Sequence, residues 1–152
     1  MMALFDSHCH VDEPKFDDDR EDVLTRMAEA GITRYAVIGS DMATSRHSAD
    51  FAAAHPGCYA AIGIHPHEAK GFVEDDLQRL ADWSKEEKVV AIGEIGLDYY
   101  YDLSPRETQM TVCEAQMDGR PLYFDGDHLS AYGNRVLIPD FERHLGMRTA
   151  TP

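Results

Sequence analysis

The segment Phe5-Asp6-Ser7-His8-Cys9-His10 closes an apolar run with two histidines one residue apart. In a strand, residues i and i+2 point to the same face, so both imidazoles can reach one cation from the strand's end. Two later apolar segments close on polar clusters in the same way. These are Gly63-Ile64-His65-Pro66-His67 and Gly93-Glu94-Ile95-Gly96-Leu97-Asp98. Polar, ligand-type residues at the ends of successive apolar segments are the pattern of an active-site edge in a parallel α/β fold.

On either side of these clusters strand-like and helix-like segments alternate, which predicts βα units and a parallel sheet. Strands are expected over 3–7, 34–39, 58–64 and 88–94. A helix is expected over 17–30, with acidic residues in its first turn and Gly31 just past its end. An Ala-rich helix is expected over 43–55, stopped by Pro56-Gly57. A third helix is expected over 73–87, burying Leu77, Leu80, Ala81 and Trp83. Ser104-Pro105-Arg106-Glu107 reads as a capping box with proline at the first helical position, opening a fourth helix.

Composition narrows the function classes. The chain has 152 residues, 43% of them hydrophobic and 28% charged, which suits one ordinary globular domain. No apolar run approaches the roughly 20 residues that span a bilayer, so no membrane partner is expected. The N-terminus has no basic flank and no long apolar core, and so does not read as a signal peptide. The three cysteines, Cys9, Cys58 and Cys113, are odd in number and widely spaced, which reads as reduced thiols in a cytoplasmic protein. A formal net charge of −14 argues against coating nucleic acid through a broad basic surface. It leaves room for local handling of phosphates, because bound divalent cations reverse the sign within a cleft.

Together with Ser104-Pro105-Arg106-Glu107-Thr108-Gln109, the three clusters resemble the TatD-like metal-dependent deoxyribonucleases of the metallo-hydrolase barrel superfamily. The resemblance covers residues 3 to about 110. It implies a TIM-type barrel that binds one or two divalent ions (zinc, manganese or magnesium) and hydrolyses phosphodiesters at DNA ends. His8, His10 and Glu94 match metal ligands, with Glu94 placed to bridge two ions and so to act in catalysis. His65 matches a catalytic position beside the scissile phosphate, and His67 is a further candidate for binding substrate. The chemistry is coherent, because imidazoles and a carboxylate suit zinc or manganese and a bound cation activates water near neutral pH.

The resemblance stops near Met110, where the family would continue with four more strands, two more histidines and an aspartate. Residues 112–146 resemble instead the final block of SGNH hydrolases and acyltransferases, with Asp125 and His128 as its Asp-x-x-His pair. No Gly-Asp-Ser nucleophile block lies upstream. Gly119-Arg120-Pro121-Leu122-Tyr123-Phe124 also resembles the barrel family's entry into its fifth strand, which would make Asp125 or His128 a substitute ligand.

The expected fold is therefore α/β, a truncated half of a TIM-type barrel in the order βαβαβαβα, with Leu122 to Phe124 as a candidate fifth parallel strand. The expected organisation is a partial barrel over 1–110 and a short segment over 111–152. The expected function is TatD-type deoxyribonuclease chemistry, with turnover weakened or lost through the missing ligands. Open barrel edges imply association between copies of the chain. The alternatives are a non-catalytic metal-binding chimeric fragment and an SGNH-type ester hydrolase remnant.

Overall fold

A computed structural model describes residues 3–113 together with Gln116–Met117 and Arg120–Pro121. Leu122 to Phe124, Asp125 and His128 lie outside the described residues, as does most of the segment with the SGNH resemblance. The described residues fall into two compact units. One runs up to Ile64 and takes in Val73–Glu94, and the other joins His65–Phe72 to the residues from Ile95 onward.

The first unit is α/β. Strands β1 (Leu4–Cys9), β2 (Ile32–Ile38), β3 (Cys58–Ile62) and β4 (Val89–Ile92) form one sheet in the order β1-β2-β3-β4, and every pairing is parallel. Helices α1 (Arg20–Glu29), α2 (Met42–Ala54) and α3 (Glu74–Trp83) supply the crossovers. This is the βα alternation expected from the sequence, with strand neighbours in space also neighbours along the chain.

Pleating sorts the strand residues onto two faces. Ala36, Ile38 and Ala61 cluster on one, packed with Phe5, Tyr59 and Ala91. Val37 pairs with Ala60 on the other, where Val37, Ala60 and Ile62 are fully buried. Helix α2 turns Ser45, Ser48, Ala49, Phe51 and Ala52 inward. The helix starts sharply because Asp41 and Thr44 make a reciprocal capping box, with the Thr44 N–H donating to Asp41 Oδ1 at 2.7 Å.

Three local expectations are corrected. Helix α1 starts at Arg20 rather than Asp17, because Pro14–Phe16 forms a separate 3-10 turn. Arg20 then donates to the carbonyls of Val11, Asp12 and Glu13, stapling that turn to the helix. Helix α3 ends at Trp83 because Ser84, Lys85 and Glu86 close into turns, and its inward stripe is not the one expected. Leu80 is buried, Trp83 is half-buried beneath the Arg46 guanidinium, and Leu77 and Ala81 are exposed. Asp76 takes the inward place in the first turn, its carboxylate accepting the Val73 N–H at 3.0 Å.

In the second unit, α4 (Arg106–Val112) packs against the 3-10 turn Ala69–Gly71. A two-residue antiparallel pair, β5 (Gln116–Met117) and β6 (Arg120–Pro121), follows. Ser104 does not cap α4, which starts after Pro105 with no side-chain cap. Its buried hydroxyl instead donates to the His67 carbonyl at 2.8 Å and accepts the Lys70 N–H at 3.1 Å. A hydroxyl that can satisfy two backbone groups of another segment is worth more there than at a helix end.

Candidate metal and phosphate sites

His8 sits near the C-terminal end of β1 and His10 just beyond it. The β1–β2 register slips between Asp6 and Cys9, so three steps along β1 span two along β2. The His8 N–H is held within this irregular stretch by Asp6 Oδ1 at 3.1 Å. The His8 and His10 rings end 5.1 Å apart between centroids. Cys9 goes elsewhere: its thiol donates to the Ala36 carbonyl at 3.3 Å, and burial pushes it up to about 11. With the thiol turned into the sheet, the two imidazoles are left as the donors of this strand end.

Glu94 arrives from the opposite edge of the sheet by a short walk across the strand ends. The Gly93 N–H donates to the Ile62 carbonyl at the end of β3, and the Glu94 N–H to the Gly39 carbonyl beyond the end of β2. That path carries the Glu94 side chain to β1, where its Oε2 lies 3.9 Å from His8 Nε2. Both side chains are about half exposed, at 52% for His8 and 44% for Glu94.

The donor set fits a divalent cation in kind. A tetrahedral ion with bonds of about 2.0–2.1 Å sets its ligands about 3.3–3.4 Å apart. The His8–Glu94 pair therefore needs to close by about half an ångström to share one. His10 is oriented by an acidic residue that the sequence reading passed over. Its Nδ1 lies 3.4 Å from Glu13 Oε1, and Lys15 holds the other Glu13 oxygen at 2.6 Å. A carboxylate bonded to Nδ1 would fix the tautomer and leave Nε2 as the atom to meet a cation. Among the described residues no group of three His, Cys, Asp or Glu side chains is gathered as a finished cage. The structure brings His8 to Glu94 and turns His10 towards Glu13.

The second unit holds His65, His67 and Asp98. The His67 backbone N–H donates to His65 Nδ1 at 3.2 Å, and the two rings meet edge to face 4.3 Å apart. With Nδ1 accepting, a neutral His65 carries its proton on Nε2, a donor of the kind a phosphate oxygen accepts. His67 Nε2 bonds Asp98 Oδ2. That bond, aided by the N–H groups of Tyr101 and Tyr100, holds the Asp98 carboxyl below the usual carboxylate range against the opposing effect of desolvation. An ionised Asp98 makes His67 the donor.

Gln109, fully buried on α4, clamps Asp98, a role with no signal in the local sequence beyond its place in the family-like block. Its Oε1 accepts the Asp98 N–H at 2.8 Å, and its Nε2 donates to the carbonyls of Asp98 and Ser104 at 3.1 and 2.8 Å. Asp12, in the first unit, is another buried polar residue that sequence reasoning missed. It is 4% exposed and accepts the Ser48 hydroxyl on Oδ2 at 2.6 Å, while its Oδ1 has no partner among the described residues.

Successive parallel strand–helix units tipped with imidazoles and carboxylates define an α/β segment of the metallo-hydrolase barrel type. The chain belongs to the TatD-related DNase family, whose model, described as "TatD related DNase", matches residues 5–119. The match runs past the boundary expected near Met110 and takes in residues 112–119, the start of the segment resembling SGNH hydrolases. An uncharacterized metal-dependent hydrolase of Bacillus subtilis, YabD, is 40% identical over 114 residues, which is 75% of this chain and 45% of that protein. A protein of Pantoea vagans named as the 3'-5' ssDNA/RNA exonuclease TatD is 34% identical over 115 residues, 75% of this chain and 44% of its own length. The solved structure of YJJV, a TatD homolog from Escherichia coli K12, matches with a TM-score of 0.64 at 34% identity. It covers 72% of this chain and 43% of that one. The chain thus spans less than half the length of the relatives it matches.

Proposed function

We propose that this chain carries the first half of a TatD-type nuclease centre, hydrolysing phosphodiester bonds in single-stranded DNA or RNA with a divalent cation. The observation that carries the reading is the path of Glu94 across the ends of β3 and β2 to within 3.9 Å of His8 on β1. Nothing in the packing of the sheet requires a carboxylate and an imidazole to meet there. A cation held by His8, His10 and Glu94 would supply Lewis acidity, making water nucleophilic near neutral pH and offsetting charge on phosphate.

The chain's own side chains take the remaining roles. His8 and His10 bind through Nε2, with Glu13 and Asp6 fixing their approach. Glu94 provides the negative charge of the site. His65 donates from Nε2 to a phosphate oxygen, and His67, held by Asp98 and Gln109, braces it from behind. Two imidazoles with one carboxylate favour zinc or manganese over magnesium, which prefers oxygen ligands and keeps its waters. The three cysteines are free, as suits the reducing cytoplasm, and no described helix is long and apolar enough to cross a membrane. The outer strands β1 and β4 expose Leu4 and Ile92 at the sheet's two edges, where a second copy can pair.

The test is cleavage of a 5'-labelled single-stranded oligonucleotide with manganese or zinc, read by gel, for the intact chain and for His8→Ala/His10→Ala. Metal-dependent cleavage lost in the double variant supports the assignment. Metal binding by calorimetry without any cleavage would replace it with a metal-binding role. Light scattering on a concentration series tests the pairing of copies, and a monomer at every concentration would exclude it.

A further inference from the structure

Three consecutive tyrosines follow the His67–Asp98 pair, and they stand out in water: Tyr99 is 41% exposed, Tyr100 87% and Tyr101 66%. Aromatic rings are the largest apolar surfaces a chain has to bury, so three in a row left in solvent call for a partner. The loop that carries them is stiff. Asp98 Oδ1 accepts the N–H groups of Tyr100 and Tyr101 at 2.8 and 3.0 Å, and Gln109 holds both backbone groups of Asp98. Asp102, at φ 54°, turns the chain after the third ring, and its carboxylate is gripped by Arg106.

The rings are arranged separately. Tyr100 and Tyr101 stand perpendicular to each other, 4.8 Å apart, and Tyr101 meets the His67 ring edge-on at 5.8 Å. The Arg106 guanidinium lies 4.6 Å over the Tyr99 ring. Perpendicular rings do not make one broad apolar face for another protein to cover. Each offers its own π-face, close in size to a nucleobase, beside imidazole and guanidinium groups that suit phosphate.

We infer that Tyr100 and Tyr101 form a stacking platform for the unpaired bases of a nucleic-acid strand whose phosphate engages His65. The inference rests on the nuclease reading above and adds a reason for the strand to be single. Bases in a duplex are already stacked on each other and have no face to give, whereas those of a single strand do. The preformed loop spares the cost of ordering the rings on binding.

The experiment compares two labelled phosphorothioate oligomers, which resist cleavage, by fluorescence anisotropy with the full chain in manganese. One is oligothymidylate, and the other is an abasic oligomer of the same length and charge. The wild type is expected to bind the thymidylate about tenfold or more tightly than the abasic strand. Tyr100→Ala and Tyr101→Ala should each weaken thymidylate binding by about five- to a hundredfold and leave abasic binding unchanged. Tyr100→Phe and Tyr101→Phe should retain wild-type affinity, since the π-face survives. Equal affinity for the two oligomers, binding of neither, or an equal loss on both in the alanine variants overturns the platform. Cleavage of an ordinary phosphodiester strand, measured alongside, separates the two claims. A platform that fails while cleavage persists sinks this inference alone, and base-dependent binding without cleavage sinks the hydrolase reading instead.

Discussion

In the proposed site Glu13 lies 3.4 Å from His10 and would orient it as a ligand from outside the His-x-His pair that the eye finds first. Replacing it by glutamine keeps the shape and removes the charge that polarises His10. Glu13→Gln is expected to lower zinc or manganese affinity by about 10- to 100-fold, read by calorimetry with the fold unchanged by circular dichroism. Wild-type affinity in that variant would mean that His10 binds unaided or not at all. Asp98 is the second residue with a measurable signature. Its carboxyl is held down chiefly by His67, so its folded pKa lies below its unfolded value. The stability it contributes is present in full above the unfolded value of about 3.9 and is lost as pH falls through the folded one. Asp98→Asn should therefore flatten the acid limb of a melting temperature-against-pH curve, below about pH 4. An acid limb as steep as that of the wild type would show that the His67 bond does not persist in solution.

Helix α2 is the element that positions the strand ends, and it works through one hydroxyl. Ser45 Oγ donates to the Gly63 carbonyl and accepts the Gly63 N–H, both at 2.9 Å, at the point where β3 turns towards His65. Ser45→Ala leaves both groups buried without a partner and should cost about 1–3 kcal/mol in urea unfolding. A cost near zero would mean that water replaces the hydroxyl. Gly39 lets α2 come this close: a Cβ there would sit 2.5 Å from the Ser45 Cα. Gly39→Ala must push the helix off the sheet, and a loss of about 1–3 kcal/mol is expected in the same assay. Much of this level was legible in the sequence. Four strands, the helices between them and the polar strand ends follow from local periodicity and spacing. The inward stripe of α3 was not, because Asp76 buries itself through a bond to the backbone of Val73 that no hydrophobic pattern reveals. The task of Ser104 was missed for the same kind of reason: its partners, His67 and Lys70, lie more than thirty residues away. Glu13 and Gln109 looked like ordinary polar residues because their value is set by which ring or loop they meet.

At the scale of the whole molecule, the net charge of −14 and the proposed substrate pull in opposite directions. In the proposed complex a strand of phosphates would be repelled at long range and held at short range by few groups. Raising salt from about 20 to about 150 mM shortens the screening length to roughly 8 Å and removes the repulsion before it removes close contacts. The association rate of an oligonucleotide, followed by stopped-flow fluorescence, should therefore rise over that range. A fall in rate, the behaviour of a basic DNA-binding surface, would contradict this. The strand order β1-β2-β3-β4 has its own consequence for how the molecule comes into being. Among the described residues each strand lays itself against the one made just before it, so none of these pairings waits for a distant later segment. During synthesis the sheet can therefore grow one strand at a time as the ribosome releases the chain, with each new helix covering the strands already laid down.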